Sequence, residues 1–167
     1  MSMIIDGTNG LTFNDSSTQA SAGKVLQVVS TTKTDVFSTT STSFVDVTGI
    51  SVSITPTSAT SKILVIVQMQ ASQGSSSDSI YRLLRGATVI AVSTSGSSKN
   101  GFGQVSSSYA NSMFTIGVTF LDSPTTTSAT TYKVQCVVDG GTTYVNRRGA
   151  AADYGGSSTI TVMEIAA

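Results

Sequence analysis

The side chains that could perform acid–base or nucleophilic chemistry are few in this sequence. It contains nine carboxylates and a single cysteine, Cys136, but no histidine. Without histidine the chain lacks the usual general base, the Ser-His-Asp and Cys-His arrangements, and the commonest metal ligand. The single cysteine cannot help to build a zinc site, and its position in an apolar run predicts a buried, small hydrophobic residue rather than a reactive thiol.

The carboxylates are scattered singly rather than paired. A glycosidase needs two of them on either side of the sugar, whereas Asp35, Asp122, Asp139 and Asp153 fall in predicted turns, where a short acceptor side chain stabilises the backbone. The oxygen-rich stretch Asp6–Gly10 could be considered for calcium, but it has too few carboxylates, and a tight turn is favoured. The sequence therefore predicts no catalytic residue, no metal site and no cofactor.

Arg147 and Arg148 form an adjacent basic pair, followed by a Gly-Ala loop and Tyr154. One interpretation is a solvated hairpin end. The other is a contact with an anion or a glycan, or an ion pair with an aspartate of a neighbouring subunit, because arginine and tyrosine are enriched at interfaces. The same two interpretations apply to Arg82 and Arg85.

Charge is sparse and balanced along the whole chain. Charged residues make up 11% of the sequence, against about 25% in an average soluble protein. Nine basic residues match nine acidic ones, so no net field would attract nucleic acid. The longest aliphatic run, Ile63–Val67, is far shorter than the ~20 residues of a membrane-spanning helix. Low charge also means little self-repulsion, which favours association with neighbouring proteins.

Short alternating segments rich in Val, Ile, Thr, Phe and Tyr predict an all-β fold, and no segment shows a sustained helical period. The predicted strands are Lys24–Ser30, Asp35–Ser38, Phe44–Thr55, Ser61–Ala71, a hairpin over Ser79–Ser93, Met113–Leu121, Thr131–Val138, Thr142–Asn146 and Ser158–Ile165.

Two glycines and one aliphatic run refine these strands. Gly49 shifts the phase of the alternation in its strand, which predicts a bulge. Gly86 lies at the predicted hairpin tip, where a positive φ is needed. The solid run Ile63–Val67 predicts a central strand covered on both faces.

Eight or so antiparallel strands with several long connections predict a two-sheet β-sandwich with jelly-roll topology; a fibronectin-like sandwich is the main alternative. Three long loops are built almost entirely from small residues: 72–77, 95–108 and 147–157. Loops of this kind are usually mobile unless a neighbouring subunit holds them in place.

Four stretches carry a further signal: GLTFNDSSTQASAGKVLQV, YRLLRGATVI, FTIGVTFLDSPTTTSATTYKVQC and TVMEI. They resemble short virion proteins and fibre tips of tailed bacteriophages. Phage fibres often contain G-L-x-F-x-D-G-T-x-Q, which residues 10–19 match except at Ser16, where the pattern has glycine, and at Ser17, where it has threonine. The resemblance implies a homotrimeric β-sandwich knob whose N-terminal arm attaches it to a capsid or tail protein.

The residues themselves also divide the chain into an arm, 1–23, and a sandwich domain, 24–167. Ile4, Ile5, Leu11 and Phe13 are isolated apolar anchors that would add a strand to a partner or fill a groove on it. Residues 16–23 are small and polar and are expected to act as a hinge. The alternative is a disordered leader of no consequence.

Three functions remain open at this point. The first is a non-enzymatic virion structural protein, either a capsid decoration (cement) protein or a head or tail fibre knob. The second is a fibre tip that binds a glycan of the host surface. The third, an enzyme that cleaves glycans, has the least support because the carboxylates are unpaired.

Overall fold

The computed structural model describes residues 4–6, 10–12, 18–19, 25–74, 77–94, 98–106, 112–149 and 153–167. The first three of these ranges are described as backbone strands only. The strands are β1 Ile4–Asp6, β2 Gly10–Thr12, β3 Thr18–Gln19, β4 Val25–Lys33, β5 Phe37–Thr39, β6 Val45–Ile54, β7 Lys62–Gln73, β8 Ser79–Arg85, β9 Thr88–Ile90, β10 Gly103–Val105, β11 Met113–Asp122, β12 Thr130–Val138, β13 Thr143–Val145 and β14 Ser158–Ile165.

Two antiparallel sheets form the sandwich, which confirms the predicted fold class. In the first sheet, β14 lies between β4 and β7, β13 lies between β5 and β7, and β11 pairs with the other side of β7. In the second sheet, β12 lies between β6 and β8, while β9 and β10 pair in succession with the free side of β8.

The order of strand pairing is that of a jelly roll. If β4 and β5, β9 and β10, and β13 and β14 are each counted as one interrupted strand, the described part of the two sandwich sheets contains eight strands. The first pairs with the eighth, the second with the seventh, the third with the sixth and the fourth with the fifth. These are the pairs of one long hairpin rolled into a sandwich, so the predicted jelly roll is confirmed and the fibronectin-like alternative is wrong.

Alternating residues from both sheets fill the space between them, as period-two strands require. Tyr81 and Tyr132 are the largest buried side chains. The other core residues are Val47, Ile50, Val52, Ile54, Ile63, Val65, Val67, Met69, Ala71, Leu83, Val105, Val134, Cys136, Val145, Ile160 and Val162. Cys136 is buried as predicted, and burial raises the pKa of its thiol to about 12.

Both structural glycines behave as predicted. Gly49 has φ +86°, and the register of β12 against β6 moves from Lys133 opposite Ser51 to Gln135 opposite Asp46. Several residues of β6 are therefore looped out against one residue of β12, which is a bulge. Gly86, with φ +57°, is at the tip of the β8–β9 hairpin, where Arg85 pairs with Thr88.

Within the described part of the sandwich, the predicted strand boundaries agree with the observed ones to within a few residues, with one omission. Strand β10 lies inside the stretch 95–108, which was expected to be a loop. Its residues pair with Ile80 and its neighbours in β8. A three-residue strand that begins with glycine has too little alternation to be recognised from sequence.

Three short strands form in the predicted arm. β2 pairs with both β1 and β3, and these strands make a sheet of their own. None of the described arm strands is hydrogen-bonded into either sheet of the sandwich. Thr18 and Gln19, inside the predicted hinge, belong to β3; the other hinge residues lie outside the described ranges.

Candidate interaction surface

The outward-facing side of the first sheet carries an apolar row that crosses the sheet from edge to edge. Val28 of β4 is opposite Met163 of β14, Met163 is opposite Leu64 of β7, and Leu64 is opposite Leu121 of β11. Val28 and Leu121 are both 55% exposed although each belongs to a strand of the sheet. Exposed apolar residues that line up in this way are typical of protein interaction sites.

Neighbouring rows extend the apolar row into a face, which we call the outer face. On one side Val25 is opposite Ile165, and Val25 is 50% exposed. On the other side the rows are mostly hydroxyl and amide groups. The outer face thus consists of Val25, Val28, Ser30, Thr32, Leu64, Ile66, Gln68, Gly117, Thr119, Leu121, Thr159, Thr161, Met163 and Ile165.

The outer face carries no formal charge at any of these positions, all of which are described. Lys62 is at the end of the face, on β7, and its ammonium group donates a hydrogen bond of 2.7 Å to the Ser123 hydroxyl. Lys62 is exposed and lies opposite Ile165. The other charged residues of the same strands point inward: Lys33 and Glu164 are buried, and Asp122 is 5% exposed. Depletion of charge is a property of the buried centres of protein interfaces.

The outward side of the second sheet has a different character. Lys133 forms an ion pair of 2.8 Å with Asp46, and the Gln135 amide donates to the same carboxylate at 2.7 Å. Arg82 donates to Gln135 at 2.6 Å and lies 3.6 Å from the ring centre of Phe44. Hydrogen bonds from Lys133 and Gln135 lower the pKa of the Asp46 carboxyl. This side has charged groups that are matched within the chain.

The alternation of β7 explains why apolar side chains reach the outer face. Ile63, Val65 and Val67 point into the core, so the intervening Leu64 and Ile66 must point outward. The sequence correctly predicts that β7 is central in its sheet. The predicted cover on both faces is wrong for the outward face. Among the described residues, β7 is covered on the core side only, and the outward Leu64 and Ile66 remain partly exposed.

The carboxylate of Asp122 links the two sheets. The Asp122 carboxylate accepts hydrogen bonds from Nη1 of Arg85 at 2.8 Å and from the Tyr132 hydroxyl at 2.7 Å. Burial raises the pKa of the Tyr132 hydroxyl far above its ordinary value, and the adjacent carboxylate raises it further. The prediction of a turn role for Asp122 is therefore wrong, because this carboxylate bonds to β8 and β12 of the opposite sheet. The hairpin-end and intersubunit interpretations of Arg85 are replaced by this intrachain pair.

A second buried carboxylate lies near the start of β4. Glu164 accepts 2.8 Å hydrogen bonds from both the backbone N–H and the hydroxyl of Thr57, and a 2.6 Å bond from the Gln27 amide. Burial by itself would raise the pKa of the Glu164 carboxyl, but the hydrogen bonds outweigh it and hold the pKa at about 2. Neither this carboxylate nor Asp122 faces a second carboxylate, and no cluster of metal-ligating side chains occurs among the described residues.

The predicted Arg147, Arg148 and Tyr154 group is only partly brought together. The Arg148 guanidinium lies 5.0 Å from the ring centre of Tyr154, and the Arg148 backbone N–H donates to the Tyr154 carbonyl at 3.1 Å. Arg147 instead lies 4.6 Å from the ring centre of Tyr144. Tyr154 is 54% exposed, so Arg148 and Tyr154 form an accessible pair while Arg147 belongs to a separate stack.

The predicted attachment residues have been described only in part. Ile4 and Ile5 are in β1 and Leu11 is in β2, with Ile5 opposite Leu11. Phe13 lies outside the described residues. The attachment role of all four stays a prediction.

Sequence reasoning did not find the outer face. Its signal was present in the aliphatic run of β7, where the outward Leu64 and Ile66 interrupt an otherwise polar alternation. What the sequence does not contain is the register that sets Leu64 beside Leu121 and Met163, because those partners lie 57 and 99 positions further along the chain.

Comparisons with known proteins find only distant similarity. No family model matches the chain and no curated protein matches it. Among solved structures, a chain in the structure of the infectious bursal disease virus Gx strain is 13% identical to this one. The TM-score is 0.42, and the match covers 84% of this chain and 42% of the other. A chain in the structure of the T=1 particles derived from infectious bursal virus is 9% identical to this one. The TM-score is 0.41, and the match covers 83% of this chain and 37% of the other.

The chain therefore spans less than half the length of the solved chains it matches. The jelly-roll assignment comes from the strand pairing of this chain.

Among the described residues, no helix is long and apolar enough to cross a membrane.

Proposed function

We propose that this chain is a non-enzymatic structural protein of a bacteriophage virion. It is a trimeric capsid decoration (cement) protein or a head or tail fibre knob, and residues 1–23 attach it to a capsid or tail protein. The observation that carries the proposal is the outer face: a charge-free surface with an apolar row, on a sandwich whose other outward side is charged and internally matched. Surfaces of this kind are suited to assembly.

The environment of the buried carboxylates supports a non-enzymatic role. Asp122 is engaged with Arg85 and Tyr132, and Glu164 is engaged with Gln27 and Thr57. Each group therefore stabilises the sandwich as an ionised acceptor. Glycoside hydrolysis needs two carboxyl groups that act as a pair, one as the acid and the other as the base or nucleophile. No such pair occurs among the described residues.

The pairing of the arm strands supports an arm that acts separately from the sandwich. β1, β2 and β3 are hydrogen-bonded to one another and not to the sandwich sheets. Ile5 and Leu11 are opposite each other in this small sheet. A short sheet of this size has little stability alone, so contact with a partner protein is the expected source of its order on the particle.

The arm can be tested by shortening the chain. A chain of residues 24–167 is expected to keep the far-UV circular dichroism and cooperative unfolding of the sandwich and to trimerise. It should fail to bind virus particles that lack this protein, whereas the full chain should cosediment with them.

A matched control keeps the full length of the arm. Ile5→Ser together with Leu11→Ser should abolish cosedimentation, while Thr8→Ser should leave it unchanged. Equal binding of the shortened and full chains would show that the arm is not the attachment element.

A fibre tip that binds a host glycan is the second candidate, and the exposed ring of Tyr154 beside Arg148 favours it. Aromatic rings and arginine are common contacts in recognition sites. Reproducible binding on a glycan array that is lost in Tyr154→Ala, Arg148→Ala or Arg147→Ala would support this role. An array without binding for the trimeric protein would leave the structural role alone.

A further inference from the structure

The outer face has a composition that can match a copy of itself. In a symmetric assembly, equivalent positions of the subunits come close together around the axis. A charged face would then bring like charges together, which is unfavourable. The outer face largely avoids this, because its fourteen positions contain only apolar, hydroxyl, amide and glycine residues, and Lys62 lies beyond them at the end of the face.

The polar groups of the face are also suited to self-contact. Ser30, Thr32, Thr119, Thr159 and Thr161 surround the apolar row. A hydroxyl both donates and accepts hydrogen bonds, so it can bond to the same group of another copy in either direction. A lysine or a carboxylate has no such freedom, since each offers only one role.

The apolar row extends across the full width of the sheet. It begins with Val28 on the edge strand β4 and ends with Leu121 on the edge strand β11, and both of these end residues are 55% exposed. Other copies of the chain, arranged around a symmetry axis, could therefore contact the row from either edge of the sheet. The corresponding row on the second sheet contains Asp46, Gln135 and Arg82. The charged groups of Asp46 and Arg82 are hydrogen-bonded within the chain and would have to be desolvated in an interface.

We propose that the outer face of the first sheet is the contact surface between copies of this chain, with the apolar row at its centre. This inference rests on the proposed function, because it takes the sandwich to be the part of the virion protein that assembles with itself. It adds the identity of the surface and of its occupant, a second copy of the chain. The charged side of the second sheet is then left facing outward.

The test compares lysine substitutions on the two outward sides in the full chain. Val28→Lys and Leu121→Lys each place a charge on the apolar row, where a contact between copies would have to bury it without a partner. The dissociation constant of the oligomer, measured by sedimentation velocity over a dilution series, should rise by at least ~100-fold. Ser53→Lys is the matched control, because Ser53 is exposed on an edge strand of the second sheet. It should leave the constant within about twofold of the wild-type value.

Two further measurements keep the test decisive. Far-UV circular dichroism and thermal unfolding check that the variants fold, and Thr119→Lys replaces an exposed hydroxyl of the same face if either apolar position fails. Wild-type dissociation constants in the outer-face variants would overturn the inference but leave the proposed function intact, since another surface would then join the copies. A wild-type chain that is monomeric at all concentrations would overturn the inference, and if it also failed to bind particles the proposed function would fall with it.

Discussion

At the scale of single residues, the buried carboxylates stabilise the molecule. The side chain of Asp122 is 7% exposed and that of its partner Arg85 is 29% exposed. The same carboxylate is also the acceptor for the buried Tyr132 hydroxyl. Its loss would leave both donors without their partner in a partly buried setting.

Asp122→Ala is expected to lower the free energy of unfolding by about 3 kcal/mol, the low end for breaking a buried ion pair because Arg85 keeps some contact with water. Asp46→Ala serves as the control, since its pair with Lys133 is largely solvated and should cost only about 0.5 kcal/mol. Urea unfolding of the three proteins measures both values. Equal losses in the two variants would contradict the description of Asp122 as a buried link between the sheets.

Glu164 predicts how stability depends on pH. Its folded-state pKa of about 2 is below the ordinary value of 4.5, so the folded protein holds the ionised form more strongly than the unfolded chain does. The resulting stability is present above about pH 4.5 and is lost as the pH falls towards 2. The melting temperature of the wild type should therefore drop more steeply over this window than that of Glu164→Gln. Parallel pH profiles for the two proteins would show that this carboxylate is not held in its ionised form.

The sequence shows which carboxylates are present, but it does not show which of them become buried hydrogen-bond acceptors. Asp122 precedes Ser123 and Pro124, which is the pattern of a turn. Its partners Arg85 and Tyr132 belong to other strands, so their approach is decided by the packing of the sheets. The burial of Cys136 was predictable because it depends only on the alternation of its own strand.

At the scale of secondary structure, glycine sets the two local features that shape the second sheet. The Gly49 bulge occurs in the edge strand β6, and a Cβ atom added there would lie 3.3 Å from atoms of the Lys33 side chain. A bulge in an edge strand also hinders pairing with a strand of another chain. The second sheet is thereby less suited than the first to an interface.

Gly49→Ala is expected to destabilise the protein by about 1–2 kcal/mol, because the positive φ is unfavourable for alanine and the buried Lys33 must move. Gly86→Asn is the control, since a Cβ there meets nothing within 4 Å and asparagine tolerates a positive φ. Thermal or urea unfolding measures the difference. A cost for Gly49→Ala no larger than that for Gly86→Asn would mean that the bulge does not require glycine.

Most strands follow from local pattern, and the exceptions are instructive. β14 begins at Ser158 and ends at Ile165 as predicted, because its alternation is regular over the full length. β10 was missed because its three residues pair with β8 only through tertiary contact. The outer face was missed for a related reason, since an exposed row across four strands depends on register rather than on any one strand.

At the scale of the whole molecule, topology was predicted from strand number and connection length, and the pairing of first with eighth, second with seventh, third with sixth and fourth with fifth strands bears it out. The resemblance to phage virion proteins rests on segments of both the arm and the sandwich. The two outward sides of the sandwich add a distinction that composition conceals. Charge is balanced over the chain, but the outward side of the first sheet carries little of it beyond Lys62, whereas the outward side of the second sheet is charged.

A cryo-electron microscopy map of the virus particle, at a resolution that shows side chains, would locate the arm and the sandwich together. It should contain this sandwich in a trimeric knob on the capsid or tail, with residues 1–23 in contact with a neighbouring virion protein and the outer faces turned towards one another. A map of intact particles without this sandwich, or one in which the arm contacts only its own subunit, would contradict the account.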